Sequence, residues 1–350
     1  VTPLGIAAQR FHDRGMVQTL NLLTDIAGVS VGHATDTALG SGVTAVIFDA
    51  PVVAAVHVGG GAPGTRDTDL LHADSTVERV DAFVLSGGST LGLDAAGGVQ
   101  AALREAGRGQ LFGAAQIPLA PQAILFDLLN GGNKDWGRFS PYRDLGYTAA
   151  RAARAGSFPL GSVGAGTGAT TGAVKGGLGS ASAVTPQGHR VAAIVAVNAV
   201  GSPLVGEGPW FWAAPFECDA EFGGLGLPHP FTTDHLRPQL KGAAGTSTTI
   251  GLIVTDAALT KAQTKRLAIM ADDGLARALL PAHGPNDGDT VFAAATGARP
   301  LERPLPELTI LGLAATQVMA RAIARGIHAA RSLTWPGAQP SWQDMFGRPS

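Results

Sequence analysis

Apolar residues along this chain fall into short β-branched runs and a few longer helical stretches. Val43–Phe48 (VTAVIF) and Val52–Val58 (VVAAVHV) are bounded by Asp, Pro and Gly, the pattern of two buried strands. Asp81–Leu85 (DAFVL) predicts another strand, and Ser86–Gly88 leads from it into a helical pattern over Leu93–Glu105. Gln122–Leu128 (QAILFDL), His189–Val197 (HRVAAIVAV), Thr249–Thr255 (TIGLIVT) and Thr290–Thr296 (TVFAAAT) also read as strands. Leu145–Ala155 predicts a short Ala/Arg helix. Thr260 and Gln263 form a capping box that opens a helix through about Leu280. Leu308–Ala330 predicts a long apolar helix. Strands and helices are mixed without strict β-α-β alternation, and several strands are neighbours in sequence. This predicts an α/β protein in which sheets pack together under helices, rather than a doubly wound sheet.

Two stretches break the pattern. Residues 1–15 carry no periodicity and are expected to be a disordered extension; a cleaner segment opens at Met16, so one domain is expected over 16–350. Gly206–Ser247 has little periodicity and many Gly, Pro and aromatic residues. A stretch that long inside a compact domain is usually functional or disordered. It stops directly before the strand that begins near Thr248, the first hint of a processing site.

Composition narrows the function classes. With 25 Lys plus Arg against 27 Asp plus Glu, no basic surplus points to nucleic acid. Cys218 is the one cysteine, which excludes an intramolecular disulfide framework and a Cys-rich zinc module. Polar residues interrupt every apolar stretch before ~18 residues, so no membrane-crossing helix is expected. No basic-then-apolar signal opens the sequence, and a cytoplasmic protein is expected. Charged residues make up 15%, against about 25% in an average chain, which suggests surface hidden in a homo-oligomer.

Several motifs lack their context. Gly28-Val-Ser30-Val-Gly32 matches the nucleophile elbow G-x-S-x-G, but a polar glycine-containing loop rather than a helix follows, so a plain turn is expected. Gly164-Ala-Gly166-Thr-Gly168 resembles a dinucleotide loop, yet no Asp or Glu lies between Asp144 and Glu207 to hold a ribose. There is no Walker loop and no H-E-x-x-H, and the nine His residues show no metal-ligand spacing. No cofactor and no metal are expected.

Gly245–Arg277 (GTSTTIGLIVTDAALTKAQTKRLAIMADDGLAR) puts hydroxyl residues at the lip of a buried strand after the long loop. With GGGAPGTRDTDLL at Gly59–Leu71, LSGGSTLGLDAAGGV at Leu85–Val99, VKGGLGSAS at Val174–Ser182, VAVNAVG at Val195–Gly201 and DGDTVFAAATG at Asp287–Gly297, it resembles the DmpA-like self-processing hydrolases. These are D- and β-aminopeptidases and nylon-oligomer hydrolases. The resemblance runs from about Leu23 to Ala330. It implies a four-layer α/β/β/α sandwich, cut between Ser247 and Thr248 into chains 1–247 and 248–350. It further implies Thr248 as nucleophile, Lys175 beside it, Asn198 as oxyanion donor, and Asp287 and Asp289 as an acidic pair near the nucleophile. Phe126 stands where the nylon-hydrolase branch carries Tyr, so that hydroxyl is missing; Phe126 is expected as pocket wall. Arg66 and Asp67 receive no role. Substrates implied are short peptides or 6-aminohexanoate oligomers, and the assembly implied is a tetramer of processed heterodimers.

The chemistry is physically sound. A Thr hydroxyl is a weak nucleophile that needs a base. A free α-amine titrates near 7.7–8.0 and a lysine near 10.4. An N-terminal Thr therefore carries its own base. A serine esterase using Ser30 and a non-catalytic binding protein on the same fold are the rival expectations.

Overall fold

The computed structural model describes residues 19–242 and 247–347. The extension expected over 1–15 lies outside the described residues. The strands are β1 (Val29–Asp36), β2 (Ser41–Val58), β3 (Thr65–Arg66), β4 (Arg79–Ser86), β5 (Gln110–Phe112), β6 (Ala115–Ile117), β7 (Gln122–Ile124), β8 (Gly177–Val184), β9 (Arg190–Asn198), β10 (Thr248–Ala257) and β11 (Thr290–Arg299). The helices are α1 (Ala95–Glu105), α2 (Tyr142–Ala152), α3 (Lys261–Ala276), α4 (Pro304–Ala329) and the short α5 (Trp342–Phe346).

The ladder order is β3-β7-β4-β2-β11-β10-β9-β8, with β1 also paired to β2. Strand β2 joins the two halves. Val43–Ile47 pairs with β4 and with β1, whereas Val53–Val58 pairs with β11. Between them the register shifts and Asp49 and Ala50 are exposed. The two expected strands are thus one strand that bends, and Pro51 sits just past that exposed bend.

Side-chain alternation turns this ladder into layers. Val46 and Phe48 of β2, Phe83 of β4, Ile194 of β9, Leu252 of β10 and Phe292 of β11 share a central core between the two half-sheets. The opposite faces of β2 and β4, through Ala45, Ile47, Ala82 and Val84, pack on α1 and α2. The opposite faces of β9, β10 and β11, through Val195, Ile253 and Ala293, pack on α3 and α4. Three cores separate four layers, α/β/β/α, as the resemblance implies.

Local chemistry fixes the helices. Thr260 caps α3: its side chain accepts from Gln263 N–H at 3.2 Å, and the Gln263 side chain accepts from Thr260 N–H at 2.9 Å. A cap of this kind contributes ~1 kcal/mol. Helix α3 ends at Ala276, earlier than expected. Helix α4 is long and apolar enough to cross a membrane, against the expectation from unbroken runs, yet it is a core helix, with Leu311, Ala315, Met319, Ile323 and Ile327 all fully buried. Gly28 lies in the turn just before β1, at φ +79°, while Ser30 pairs with Ile47 in mid-strand. The strand expected through Leu128 stops at Ile124. Between 206 and 242 the chain is irregular apart from the 3-10 turns Ala214–Phe216 and Thr233–Leu236.

Candidate active site

The site lies where four strand ends meet. β9 ends and β10 begins at the same edge, so Thr248 stands opposite Asn198. Side chains opposite each other in an antiparallel pair share a face. β11 begins beside β10, and β2 ends beside β11. The turn before β11 therefore reaches the start of β10, where Ser247 bridges to Asp287. Gly59 and Gly60, just past β2, donate their amides to the Asp289 carbonyl at 3.0 and 3.2 Å, and Ala62 donates to the Asp287 carbonyl at 2.7 Å. The glycine run in the sequence is the clasp of this turn.

The Thr248 hydroxyl donates to the carbonyl oxygen of Ser247 at 2.5 Å. Both residues are buried, at 3% and 1% exposure. Thr249 N–H donates to Asp289 Oδ1 at 2.6 Å. Asp287 Oδ2 accepts from Gly284 N–H at 2.6 Å, while its Oδ1 is buried with no hydrogen-bond partner among the described residues. Burial, and then the neighbouring Asp289 charge, push the Asp287 carboxyl up to about 6.

Behind Asp289 runs a relay that the sequence did not disclose. Asp289 Oδ2 accepts from His283 N–H and faces His283 Nδ1, both at 3.0 Å. The ring's Nε2 lies 3.1 Å from Asp272 Oδ2 on α3, and His57 Nε2 on β2 lies 3.7 Å from the same oxygen. Hydrogen bonds from Asp272 and Asp289 outweigh burial and raise His283 to about 10. At neutral pH it is an imidazolium clamped between two carboxylates. A raised histidine pKa stabilises the fold fully below the unfolded value near 6.5 and loses that contribution as pH rises through about 10. Thermal unfolding of His283→Gln is therefore expected to fall roughly a few degrees below wild type at pH 6, the gap closing toward pH 10. A gap independent of pH would show that the ring acts by packing alone.

On the other side of Thr248, Asn198 is held from several directions. Its Oδ1 accepts from Lys241 Nζ at 2.8 Å, Thr170 N–H at 3.0 Å and Asn130 Nδ2 at 3.1 Å, and its Nδ2 donates to the Phe126 carbonyl at 2.9 Å. Phe126 thus contributes its backbone to the site, a contact that needs no Tyr hydroxyl. Lys175 is buried, and its Nζ donates to the carbonyls of Gly176 at 2.8 Å and Gly166 at 3.0 Å. Burial lowers Lys175 and Lys241 each to about 7, against the pull of the Asp127 charge. Asp127 is itself buried, accepts from Ser41 Oγ at 2.6 Å and Gly88 N–H at 2.8 Å, and is pushed up by desolvation.

The structure thus brings Ser247, Thr248, Asn198, Asp287 and Asp289 together. It places Lys175 in the loop just before β8, whose Gly177 pairs with Val197 beside Asn198. Lys241, Asn130, Asp127, His283 and Asp272 were not foreseen. Ser30, inside a strand, has no elbow around it. Arg66 braces its loop against α1 through Gln100 Oε1 at 3.1 Å and lies 3.6 Å from Asp67. No cluster of His, Cys, Asp or Glu suited to a metal occurs among the described residues.

The four-layer α/β/β/α sandwich, with Thr248 buried at the head of a central strand, is the architecture of the N-terminal-nucleophile hydrolase fold. The chain belongs to peptidase family S58, whose model matches residues 21–339. An uncharacterized aminopeptidase of Mycobacterium tuberculosis is 41% identical over 359 residues, covering 93% of this chain and 98% of the relative. A 6-aminohexanoate-oligomer endohydrolase of Kocuria is 30% identical over 283 residues, covering 78% of this chain and 74% of the relative. Among solved structures, a Burkholderia β-aminopeptidase superposes with a TM-score of 0.68 at 23% identity, covering 96% of this chain and 94% of its own. The L-aminopeptidase D-Ala-esterase/amidase of Ochrobactrum anthropi, described as a variant of the Ntn hydrolase fold, gives 0.64 at 19%, covering 94% and 95%. These two likenesses establish the fold.

Proposed function

We propose that the chain cuts itself between Ser247 and Thr248 and then hydrolyses linear amides through an acyl-enzyme on Thr248. The observation that carries this reading is the Thr248 hydroxyl resting 2.5 Å from the carbonyl oxygen of the residue before it, at the head of a buried strand. Before the cut there is no α-amine to act as base. The unpartnered Asp287 oxygen, on a carboxyl that titrates at about 6, supplies a proton acceptor at neutral pH. After the cut the freed amine of Thr248 takes that role. Asn198 retains a second Nδ2 hydrogen for a substrate oxyanion. In their protonated forms Lys241, on Asn198 Oδ1, and Lys175 add positive charge on this side of Thr248, and Asp289 orients the start of β10 through Thr249.

The chains 1–247 and 248–350 would stay interleaved. β10 pairs with β9 and β11 pairs with β2 across the division. Arg321 bonds Glu221 at 2.5 Å and His189 meets Glu307 at 3.2 Å, each pair buried and each spanning it. Separation would open the sheet, leave the Arg321 and Glu221 charges unpaired and break the His189–Glu307 contact.

For substrate we favour the amino-terminal residue of short peptides, following the aminopeptidase relatives. The 6-aminohexanoate oligomers are the second reading, supported by the endohydrolase relative and by the buried Lys175. Exposed Phe139, Leu305, Leu111 and Leu129, each 70% or more accessible, support a homo-oligomer, for which we propose the tetramer, in the cytoplasm.

Denaturing mass measurement of purified protein is expected to show two fragments, the smaller beginning Thr-Thr-Ile-Gly. One uncut chain would favour the binding-protein or Ser30-esterase reading. A start at Ser247 or Thr249 would move the nucleophile. A panel of aminoacyl-p-nitroanilides, β-peptides and 6-aminohexanoate oligomers then separates the two substrate readings.

A further inference from the structure

The intact chain shows the first reaction's carbonyl before it is attacked. Among the described residues two donors reach the Ser247 carbonyl oxygen: the Thr248 hydroxyl, and the backbone N–H of Gly288 at 3.0 Å. Asn198 Nδ2 is instead on the Phe126 carbonyl. The Gly288 amide is firmly held. The Thr290 hydroxyl donates to its carbonyl at 2.9 Å, Gly284 ties the Asp287 carboxylate at 2.6 Å, and Ala62 ties the Asp287 carbonyl at 2.7 Å. The position also excludes a side chain. A Cβ on Gly288 would stand 2.7 Å from Thr248 Oγ1, 3.1 Å from Thr248 Cγ2 and 2.9 Å from the Ala62 carbonyl.

We propose that Gly288 is a catalytic residue of self-cleavage, its backbone N–H stabilising the oxyanion that forms on Ser247. The inference rests on the self-cleavage reading above. In the step, the Thr248 Oγ–C bond to the Ser247 carbonyl forms and the carbonyl electron pair moves onto oxygen, where the Gly288 N–H receives it. Collapse breaks the Ser247–Thr248 C–N bond, and the proton given up by the hydroxyl ends on the departing nitrogen. Water then adds to the ester, releasing the Ser247 carboxylate and restoring the Thr248 hydroxyl beside its free amine. The donor is aligned before reaction, which is what makes such an amide effective in a buried site. The absence of a side chain keeps the attacking oxygen in place. Because the same oxygen attacks every later substrate, the amide serves each turnover as well.

The test is cell-free synthesis with glycolic acid in place of Gly288, which replaces the N–H with an ester oxygen and adds no side chain. Maturation is followed on denaturing gels beside wild type made in the same extract. Losing one oxyanion donor is expected to slow maturation about 10²–10³-fold. A control ester at Gly188, whose N–H closes a turn on the Thr185 carbonyl at 2.8 Å away from the cut, is expected to mature within about threefold of wild type. A Gly288 ester maturing within threefold of wild type overturns the proposal. Wild type that stays uncut overturns the self-cleavage reading itself. Gly288→Ala, purified from cells, gives the second reading: it keeps the N–H but drives a methyl against the hydroxyl. It is expected to mature at least tenfold slower while unfolding within a few degrees of the Thr248→Ala precursor. Wild-type maturation of Gly288→Ala overturns the claim that the missing side chain keeps the attacking oxygen in place.

Discussion

Thr248→Ala is expected to remain one uncut chain of 350 residues, folded, with amide hydrolysis reduced by at least about 10⁴-fold. In the proposed reaction the hydroxyl is the attacking atom twice over, first on the Ser247 carbonyl and then on each substrate. Alanine removes it from both reactions. Without the first cut the α-amine never appears, so the base for turnover is lost as well. The remaining groups do not replace it. Ser247 Oγ and Thr249 Oγ1 are buried nearby, but Thr249 follows the cut and its amide is tied to Asp289. The fold survives because the change removes one methyl and one hydroxyl at a strand start whose ladder to Asn198 is made by backbone, a loss of about 1–2 kcal/mol. Thr248→Ser keeps the attacking oxygen and is expected to retain part of both activities. Mass measurement and a p-nitroanilide assay check both variants. Two fragments from Thr248→Ala would send the search for the nucleophile to Ser247.

The parts of this molecule that show in sequence are those whose chemistry is local. The head of β10 does, because a β-branched run with hydroxyls at its lip follows directly on an aperiodic stretch. The capping box of α3 is likewise local. Asn198 is marked only by the resemblance, within VAVNAVG; its place at the end of an apolar strand gives it no role by itself. What stays hidden depends on tertiary contact. The relay from Asp289 through His283 to Asp272 and His57 joins the turn before β11, α3 and β2, positions that no spacing relates. Lys241 comes from the irregular stretch, where no periodicity marks which side chain turns inward. β8 escaped notice because Gly, Ser and Ala dominate it. The reason is packing: a Cβ on Gly179 would lie 1.8 Å from the Ala322 carbonyl of α4, so the strand gives up β-propensity for close helix contact. β2 read as two strands because Pro51 punctuates it, yet the proline sits beside the bend where the ladder is already interrupted.

Asn198→Ala separates turnover from self-cleavage. In the intact chain Asn198 does not touch the Ser247 carbonyl; its bonds run to Phe126, Thr170, Asn130 and Lys241. Its remaining amide hydrogen is proposed for the substrate oxyanion. Loss of such a donor costs about 2.7–4 kcal/mol of transition-state stabilisation, a fall in kcat of roughly 10²–10³. KM is expected to change much less, because the ground-state carbonyl makes the weaker contact. Maturation is expected to slow less than turnover, since the donor on Ser247 is the Gly288 amide. Removing Asn198 also takes one acceptor from the half-buried Lys241 amino group, leaving it the Thr170 carbonyl at 3.2 Å. Part of any loss is therefore positional, and Lys241→Met isolates that part. It leaves the Asn198 amide and the oxyanion donor in place, so its kcat is expected to fall by less than that of Asn198→Ala. Steady-state kinetics on fully matured protein decide the matter. A kcat within twofold of wild type for Asn198→Ala removes this amide from the reaction, and equal losses in the two variants make Asn198 a support for Lys241 rather than a donor.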